Sequence, residues 1–303
     1  MIEIIRNTKI DFMGKRFIAI GISALLTILG IVAAVQVARG TANLGIDFAG
    51  GTSVQIKFNT RVALHDVRKA LEDGGIREFE LQDLPTENKV IISTKKSEAN
   101  IGNLSEKIIT VLSQKFSQSN VVVDSTTEIG PKVGDKLRKD ALVAILVATL
   151  GILIYVAFRF QFRFGIGATI ATFHDVLAVL GIFYILGKEI NLLLVTALLT
   201  IAGYSLTDTV VVFDRIRENL KTKFKKSTFE IVNESINEVL SRTIVTSLTV
   251  FLTAAALFAF GGEVIHDFAF AIMLGIIVGT YSSIFVASPI VIMMGKDKAF
   301  NKK

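Results

Sequence analysis

The stretch Gly203 to Asn219, GYSLTDTVVVFDRIREN, sets one carboxylic acid, Asp208, inside an apolar run from Asn191 to Phe213 that has no other charge. That run matches the roughly 20 residues a helix needs to cross a bilayer. A carboxylate at such depth costs on the order of 2.5–3.5 kcal/mol on insertion scales, so it is kept where it faces protein or water and has a task. Thr200, Tyr204 and Asp208 recur every four residues, which stacks them on one helix face and predicts a hydrogen-bonded column, with Thr207 beside it in support. A second acid, Asp175, follows His174 near the middle of another apolar run, and Arg242 stands at the mouth of a third. Two buried acids, a histidine and an arginine are the ingredients of a proton or cation path. Burial favours a neutral acid and a nearby guanidinium favours the carboxylate, so moving water or Arg242 relative to Asp208 would switch it. Each proton crossing about 100 mV releases about 2.3 kcal/mol, enough for a few to bias a two-state rearrangement. The plainer reading has both acids hydrogen-bonding neighbouring helices as glue, with Arg242 snorkelling to lipid phosphates.

These residues need a membrane scaffold, and composition supplies one. The 303 residues are 51% hydrophobic, with three prolines and a mean hydropathy of +0.57, too apolar for an ordinary soluble globule of this size. The net charge of +6 falls mostly in loops flanking apolar runs, so it reads as positive-inside topology and not as a nucleic-acid surface. The absence of cysteine excludes disulfides and thiolate metal or redox sites. No HExxH, GxSxG or Walker A pattern occurs, so proteolysis and ATP use have no visible machinery; no metal or cofactor is expected. His65 and His266 lack metal-spaced companions and read as incidental.

In chain order, Arg6, Lys9, Lys15 and Arg16 precede the uncharged span Phe17 to Ala38. It exceeds the 7–15 residues of a signal-peptide core and no small-residue cleavage site follows, so it reads as a retained first span with a cytoplasmic N-terminus, residues 1–38 together. Residues 39–137 turn polar and read as an extracytoplasmic domain. Strand Thr52 to Phe58, a helix Arg61 to Asp73 capped by Thr60 and stopped by Gly74 and Gly75, strands Glu78 to Leu84 and Lys89 to Thr94 around a turn at Pro85, a helix Leu104 to Phe116 and a strand Val121 to Thr126 give the order βαββαβ, that of a ferredoxin-like α+β sandwich. Ahead of it, LGIDFAGG places Gly45, Gly50 and Gly51 around Asp47; the loop is either a tight turn or a hinge at the membrane surface.

Residues 138–303 hold five more spans: Ala141 to Phe158, a basic turn Arg159 to Arg163, Phe164 to Leu186, the Asp208 run, the run after Arg242, and Phe268 to Met294. Between spans four and five, residues 214–241 are the basic cytoplasmic loop; Phe229, Ile231, Val232, Ile236, Val239 and Leu240 recur at helical spacing and predict an amphipathic helix lying on the membrane face. Arg242, Thr246, Thr249 and Thr253 give span five a polar face. In span six Gly275, Gly279, Ser283 and Ala287 recur every four residues, a register that lets two helices approach closely; Pro289 is expected to kink or end it. Lys296, Lys298, Lys302 and Lys303 place the C-terminus in the cytoplasm. The fold class is thus an α-helical polytopic membrane protein of six spans with one inserted α+β domain.

LGIDFAGG, His174-Asp175, GYSLTDTVVVFDRIREN, SRTIVTSLTV from Ser241 and GTYSSIFVASP from Gly279 together resemble the SecD/SecF family of bacterial protein-export membrane proteins, in motif order and over essentially the whole chain. The resemblance implies a fold of the resistance-nodulation-division (RND) transporter type. This chain would form one six-span half in the bacterial cytoplasmic membrane, and a SecD subunit the other. The family implies that the pair uses the proton-motive force in late steps of preprotein export, after SecA has driven insertion through the SecYEG channel, with YajC and YidC as further partners. By the same resemblance Asp208 matches the intramembrane acid of the proton path and Arg242 its gatekeeper. Asp47 with Gly45, Gly50 and Gly51 matches the base loop, and His174 and Asp175 match a family motif. Two alternatives share parts of this picture: an RND-type half-transporter exporting small molecules, and a membrane scaffold without energy coupling.

Overall fold

A computed structural model describes residues 8–84, 88–95, 104–159, 162–223 and 225–294. The expected turn at Pro85, Arg6, the C-terminal lysines and residues 160–161 of the basic turn lie outside them.

Among the described residues six helices are long and apolar enough to cross a membrane. The first, α1 (Arg16–Arg39), ends at Gly40, whose φ of +75° is the left-handed conformation that closes a helix C-terminus. After a helical turn α2 (Ile46–Ala49) the sandwich follows: β1 (Gly51–Lys57), α3 (Leu64–Asp73), β2 (Phe79–Leu84), β3 (Lys89–Lys95), α4 (Leu104–Lys115) and β4 (Val122–Ile129). The bundle resumes with α5 (Pro131–Arg159), α6 (Phe162–Ile185), α7 (Leu192–Thr222) and α8 (Thr228–Phe260). The sixth span is α9 (Gly262–Ser282) joined to α10 (Ser288–Met294) through a π-helical segment, Ser283–Ala287.

The four strands form one antiparallel sheet in the order β2-β3-β1-β4, the split βαβ arrangement expected from the element order. Alternation places Val54 and Ile56 of β1 and Val90 and Ile92 of β3 against Val67, Leu71, Ile108 and Leu112 of the two helices. Helix α3 starts three residues later than expected. Thr60 does not cap it; its hydroxyl lies 3.1 Å from Ser119 Oγ, and the capping position falls to Ala63 in extended backbone.

Helix α6 is the bundle's axis, buried along most of its length, and Gly30 of α1 meets it so closely that an added Cβ would lie 2.2 Å from Leu177 O. By contrast α1 and α5 turn Phe17, Ile22, Leu25, Val143, Leu146, Leu150 and Phe158 outward, the apolar surface a lipid tail accepts. Helix α5 begins at Pro131, ten residues before the apolar run, because proline suits a helix's first position and nothing in KVGDKLRKD breaks the turn.

The expected surface helix in 214–241 is absent as a separate element. Helix α7 runs on to Thr222, and Ser227, in a capping box with Glu230, starts a single helix α8 that continues through Arg242 to Phe260. The stripe from Phe229 to Leu240 packs into a core with Phe12, Met13, Phe213 and Ile216, so protein covers it and not lipid. Asn233 and Asn237 fasten the N-terminal segment there: Asn233 Oδ1 accepts from Phe12 N at 2.9 Å and Met13 N at 3.1 Å, and Asn237 Oδ1 from Ile10 N at 2.9 Å.

Within the bundle two apolar cores are separated by a polar layer. One core holds Phe164, Ala171, Val212, Phe213, Ile236, Leu240, Ile284 and Ala287; the other, toward the sandwich, holds Val176, Phe183, Leu194, Leu198, Ala202 and Ala271. The residues between them in sequence are Thr172, His174 and Asp175 of α6, Ser205, Asp208 and Thr209 of α7, and Ser282 and Ser283 of the sixth span, with Thr243 and Ser247 of α8 beside them, all buried.

Candidate functional site

The polar layer forms where small residues let helices approach. A Cβ on Gly275 would lie 2.3 Å from Ile201 Cγ1, and one on Gly279 3.1 Å from Ser205 Cβ, so the small-residue register of span six faces α7. Beyond it the helix widens. Pro289 has no N–H to donate to Phe285 O and its ring crowds that carbonyl, and the π turn immediately before it accommodates both. Ser288 Oγ donates to Ser283 O at 2.8 Å across this turn. The consecutive Ser282 and Ser283, about 100° apart around the helix, reach different acids.

Asp175, fully buried, is the well-satisfied one. Its Oδ1 faces His174 Nδ1 at 2.9 Å, while its Oδ2 accepts from Ser282 Oγ at 2.8 Å and from Ser205 Oγ. His174 Nε2, on the far side of the ring, has no hydrogen-bond partner among the described residues. Asp208, 7% exposed, has one long hydrogen bond among the described residues, from Ser283 Oγ at 3.4 Å. That serine has a single hydroxyl proton and a shorter acceptor in Thr280 O at 3.0 Å. Thr243 and Arg242 of α8 flank the Asp208 carboxyl. Arg242 acts through space: it is exposed and forms no ion pair among the described residues.

The expected column on α7 does not form. Thr200 Oγ1 donates to Thr196 O at 2.8 Å and Thr207 Oγ1 to Gly203 O at 3.2 Å, each turning back on its own helix, and both are exposed. Four-residue spacing aligns side chains, but a threonine's short arm reaches its own preceding carbonyl before it reaches the next side chain. Tyr204 OH is unpartnered among the described residues, as are the hydroxyls of Thr172, Thr209 and Thr243. With His174 Nε2, five such groups lie in one layer, against the strong tendency of buried polar groups to be paired.

The base loop is tightly held. Gly45 N donates to Ile190 O at 3.0 Å and Ile190 N to Asn43 O at 2.8 Å, pairing the loop with the α6–α7 connection. Asp47 Oδ2 accepts from Leu192 N at 3.0 Å and so caps the helix that carries Asp208, alongside Asn191, which accepts from Leu194 N at 3.0 Å. Gly50 takes φ +74° and Gly51 sits where a Cβ would lie 2.3 Å from Thr94 O, so both glycines are required by geometry.

Sequence reasoning missed Ser205 and Ser282 as partners of Asp175, Thr243 beside Asp208, and Glu189 beside the base loop. The only available signal was the run of serines before Pro289, which marks a helix whose own ladder is interrupted.

Residues 108–297 match the model of the protein export membrane protein SecD/SecF C-terminal region, and residues 42–60 that of the SecD/SecF GG motif. A protein translocase subunit SecF from Thermodesulfovibrio yellowstonii is 58% identical over 305 residues, covering 100% of both chains. One from Endomicrobium trichonymphae is 44% identical, covering 94% of this chain and 91% of its own. Among solved structures, a Thermus SecDF, described as a translocon-associated membrane protein, superposes with a TM-score of 0.77 at 37% identity over 95% of this chain. The chain spans 39% of the length of that SecDF. A SecDF in a super-membrane-facing form gives 0.69 at the same identity.

Proposed function

The chain belongs to the SecD/SecF family of protein-export membrane proteins, and on that premise we propose that, joined to a SecD half, it couples the proton-motive force to late steps of preprotein export, with Asp208 taking up and releasing the proton. As a translocase subunit it is a transport component, built on a multi-pass RND-type fold.

The observation that carries the reading is the contrast between the two acids. Asp175 has three donors and no exposure, the arrangement of a structural tie. Asp208 has one weak donor whose proton has a better acceptor elsewhere. As a neutral acid it can donate to Ser283 Oγ while Ser283 keeps Thr280 O; as a carboxylate it must draw the serine proton from Thr280 O. The two states therefore call for different hydrogen bonds of Ser283, in the π-helical segment, and the exposed Arg242 is free to approach the charged one. A proton at Asp208 thus biases a two-state element. Asp208 lies 16 residues, about 24 Å, along α7 from the end capped by Asp47, so tilting α7 moves the base of the sandwich.

The face left for a partner is polar. Thr196, Thr200, Gly203 and Thr207 of α7 and Arg242, Thr246, Thr249 and Thr253 of α8 are exposed at membrane depth, unlike the Leu, Ile and Phe surface of α1 and α5. Small and hydroxyl residues suit another helix bundle better than lipid. A SecD half fits there, with SecYEG, SecA, YajC and YidC as the wider assembly, the termini in the cytoplasm and the sandwich outside. The test is late-stage preprotein release from vesicles holding this chain and its SecD partner, with and without a proton gradient. Asp208→Asn is expected to abolish the gradient's acceleration, and equal responses of variant and wild type would make Asp208 a structural tie.

A further inference from the structure

At the junction of sandwich and bundle, the α6–α7 connection carries Glu189 between Lys188 and the paired Ile190. Its carboxyl lies flat on the base loop: a Cβ on Gly45 would sit 2.3 Å from Glu189 Oε1. It borders two cavities. One, of about 280 Å³, is lined by Ile46, Glu78, Phe79, Glu80, Ser93 and Lys95; the other, of about 260 Å³, includes Asp47, Gln82, Asn191 and Asp267. Every element around it contributes charge: Glu78, Glu80 and Lys95 from the sandwich, Asp47 from the base loop, Lys188 and Asp267 from the bundle.

Neither lysine serves Glu189. Lys95 Nζ donates to Asn43 Oδ1 at 2.7 Å and lies 4.0 Å from Glu80, and Lys188 pairs with Asp267 at 2.6 Å. Asp47 is committed to Leu192 N. Glu189 is left without a hydrogen bond or ion pair among the described residues. A carboxylate in that position faces Glu80, Asp47 and Asp267 across partly dry space, with Lys95 drawing the other way through space, whereas a carboxylic acid does not repel them.

We propose that Glu189 is a proton-binding site at this junction: protonated, it lets the sandwich seat on the bundle, and ionised, it repels Glu80 and Asp47 and lifts the sandwich about the base loop. Burial, with help from Glu80, pushes its carboxyl up to about 7, from 4.5 for a solvated glutamate. The seated form therefore holds the proton more tightly, and seating strengthens as pH falls through 7 and weakens above it. Between pH 8 and pH 6 the seating constant rises roughly tenfold. The site stands apart from Asp208; only its use in export rests on the proton-coupling reading.

The chain has no cysteine, so a Lys69→Cys, Phe260→Cys pair, one exposed on α3 and one at the end of α8, can be spin-labelled alone. Distances are measured on the full chain in lipid vesicles at pH 8, 7 and 6, with no gradient. The expected result is two distance populations whose ratio changes about tenfold in the wild type, stays at the seated value in Glu189→Gln, and responds at lower pH in Glu80→Gln. Asp208→Asn, which removes the proposed coupling acid, is expected to keep the wild-type response, so failure of one proposal is distinguishable from failure of the other. A distance invariant from pH 6 to 8, or a pH response that persists in Glu189→Gln, overturns the proposal.

Discussion

Replacing Asp175 by alanine is expected to cost far more stability than replacing Asp208 by asparagine. The alanine removes the acceptor for three donors. Ser282 has a fallback, since its hydroxyl already lies 3.1 Å from Gly279 O. Ser205 Oγ has no second acceptor among the described residues, and His174 Nδ1 loses its only partner. Two buried groups are left unpaired at about 1–3 kcal/mol each. Measured side-chain hydrogen bonds in membranes average only about 0.6 kcal/mol, which pulls the sum toward the lower end. The expected loss is about 2–4 kcal/mol for Asp175→Ala. Asp175→Asn keeps an acceptor for the serines and turns an N–H toward His174, which can shift its proton to Nε2, so its loss is about 1 kcal/mol. Asp208→Asn gives up one 3.4 Å contact and is expected to lose well under about 1 kcal/mol. Reversible unfolding of the three variants in one detergent mixture measures the order. Equal destabilisation by Asp208→Asn and Asp175→Ala, or a neutral Asp175→Ala, refutes the division of the two acids into a tie and a carrier.

Two further outcomes follow from close contacts. Gly275→Val drives a side chain into Ile201 and is expected to cost about 1–3 kcal/mol, with Ile201→Ala restoring much of it; an additive double mutant in the same unfolding assay would show that α7 and α9 do not meet there. Asp47→Ala removes a cap from α7 and is expected to cost about 0.5–2 kcal/mol and to speed amide exchange at Leu192 and Leu194 while leaving the first turn of α8 protected; uniform protection in α7 would show that the base loop does not hold that helix.

The six spans and the sandwich were legible in the sequence because each rests on a local signal: an uninterrupted apolar run for α1, alternation for β1 and β3, glycines after α3. Asp208 was legible for the same reason, as one charge in an apolar run. The apolar stripe from Phe229 was visible too, but a stripe shows only that water is avoided. Whether lipid or Phe213 and Ile216 cover it depends on residues elsewhere in the chain, and here protein does.

The membrane class, the split βαβ domain, the small-residue face of span six and the two acids follow from composition and periods along single segments. Packing between helices separates the tied acid from the loosely held one. Asp175 draws its donors from α6, α7 and α9, and Asp208 takes its one from the π-helical segment, so the difference exists only where separate helices meet. Thr200 shows the converse limit. Its spacing from Asp208 is right, but its hydroxyl finds a nearer acceptor on its own helix, and proximity in space, not periodicity in sequence, settles a hydrogen bond.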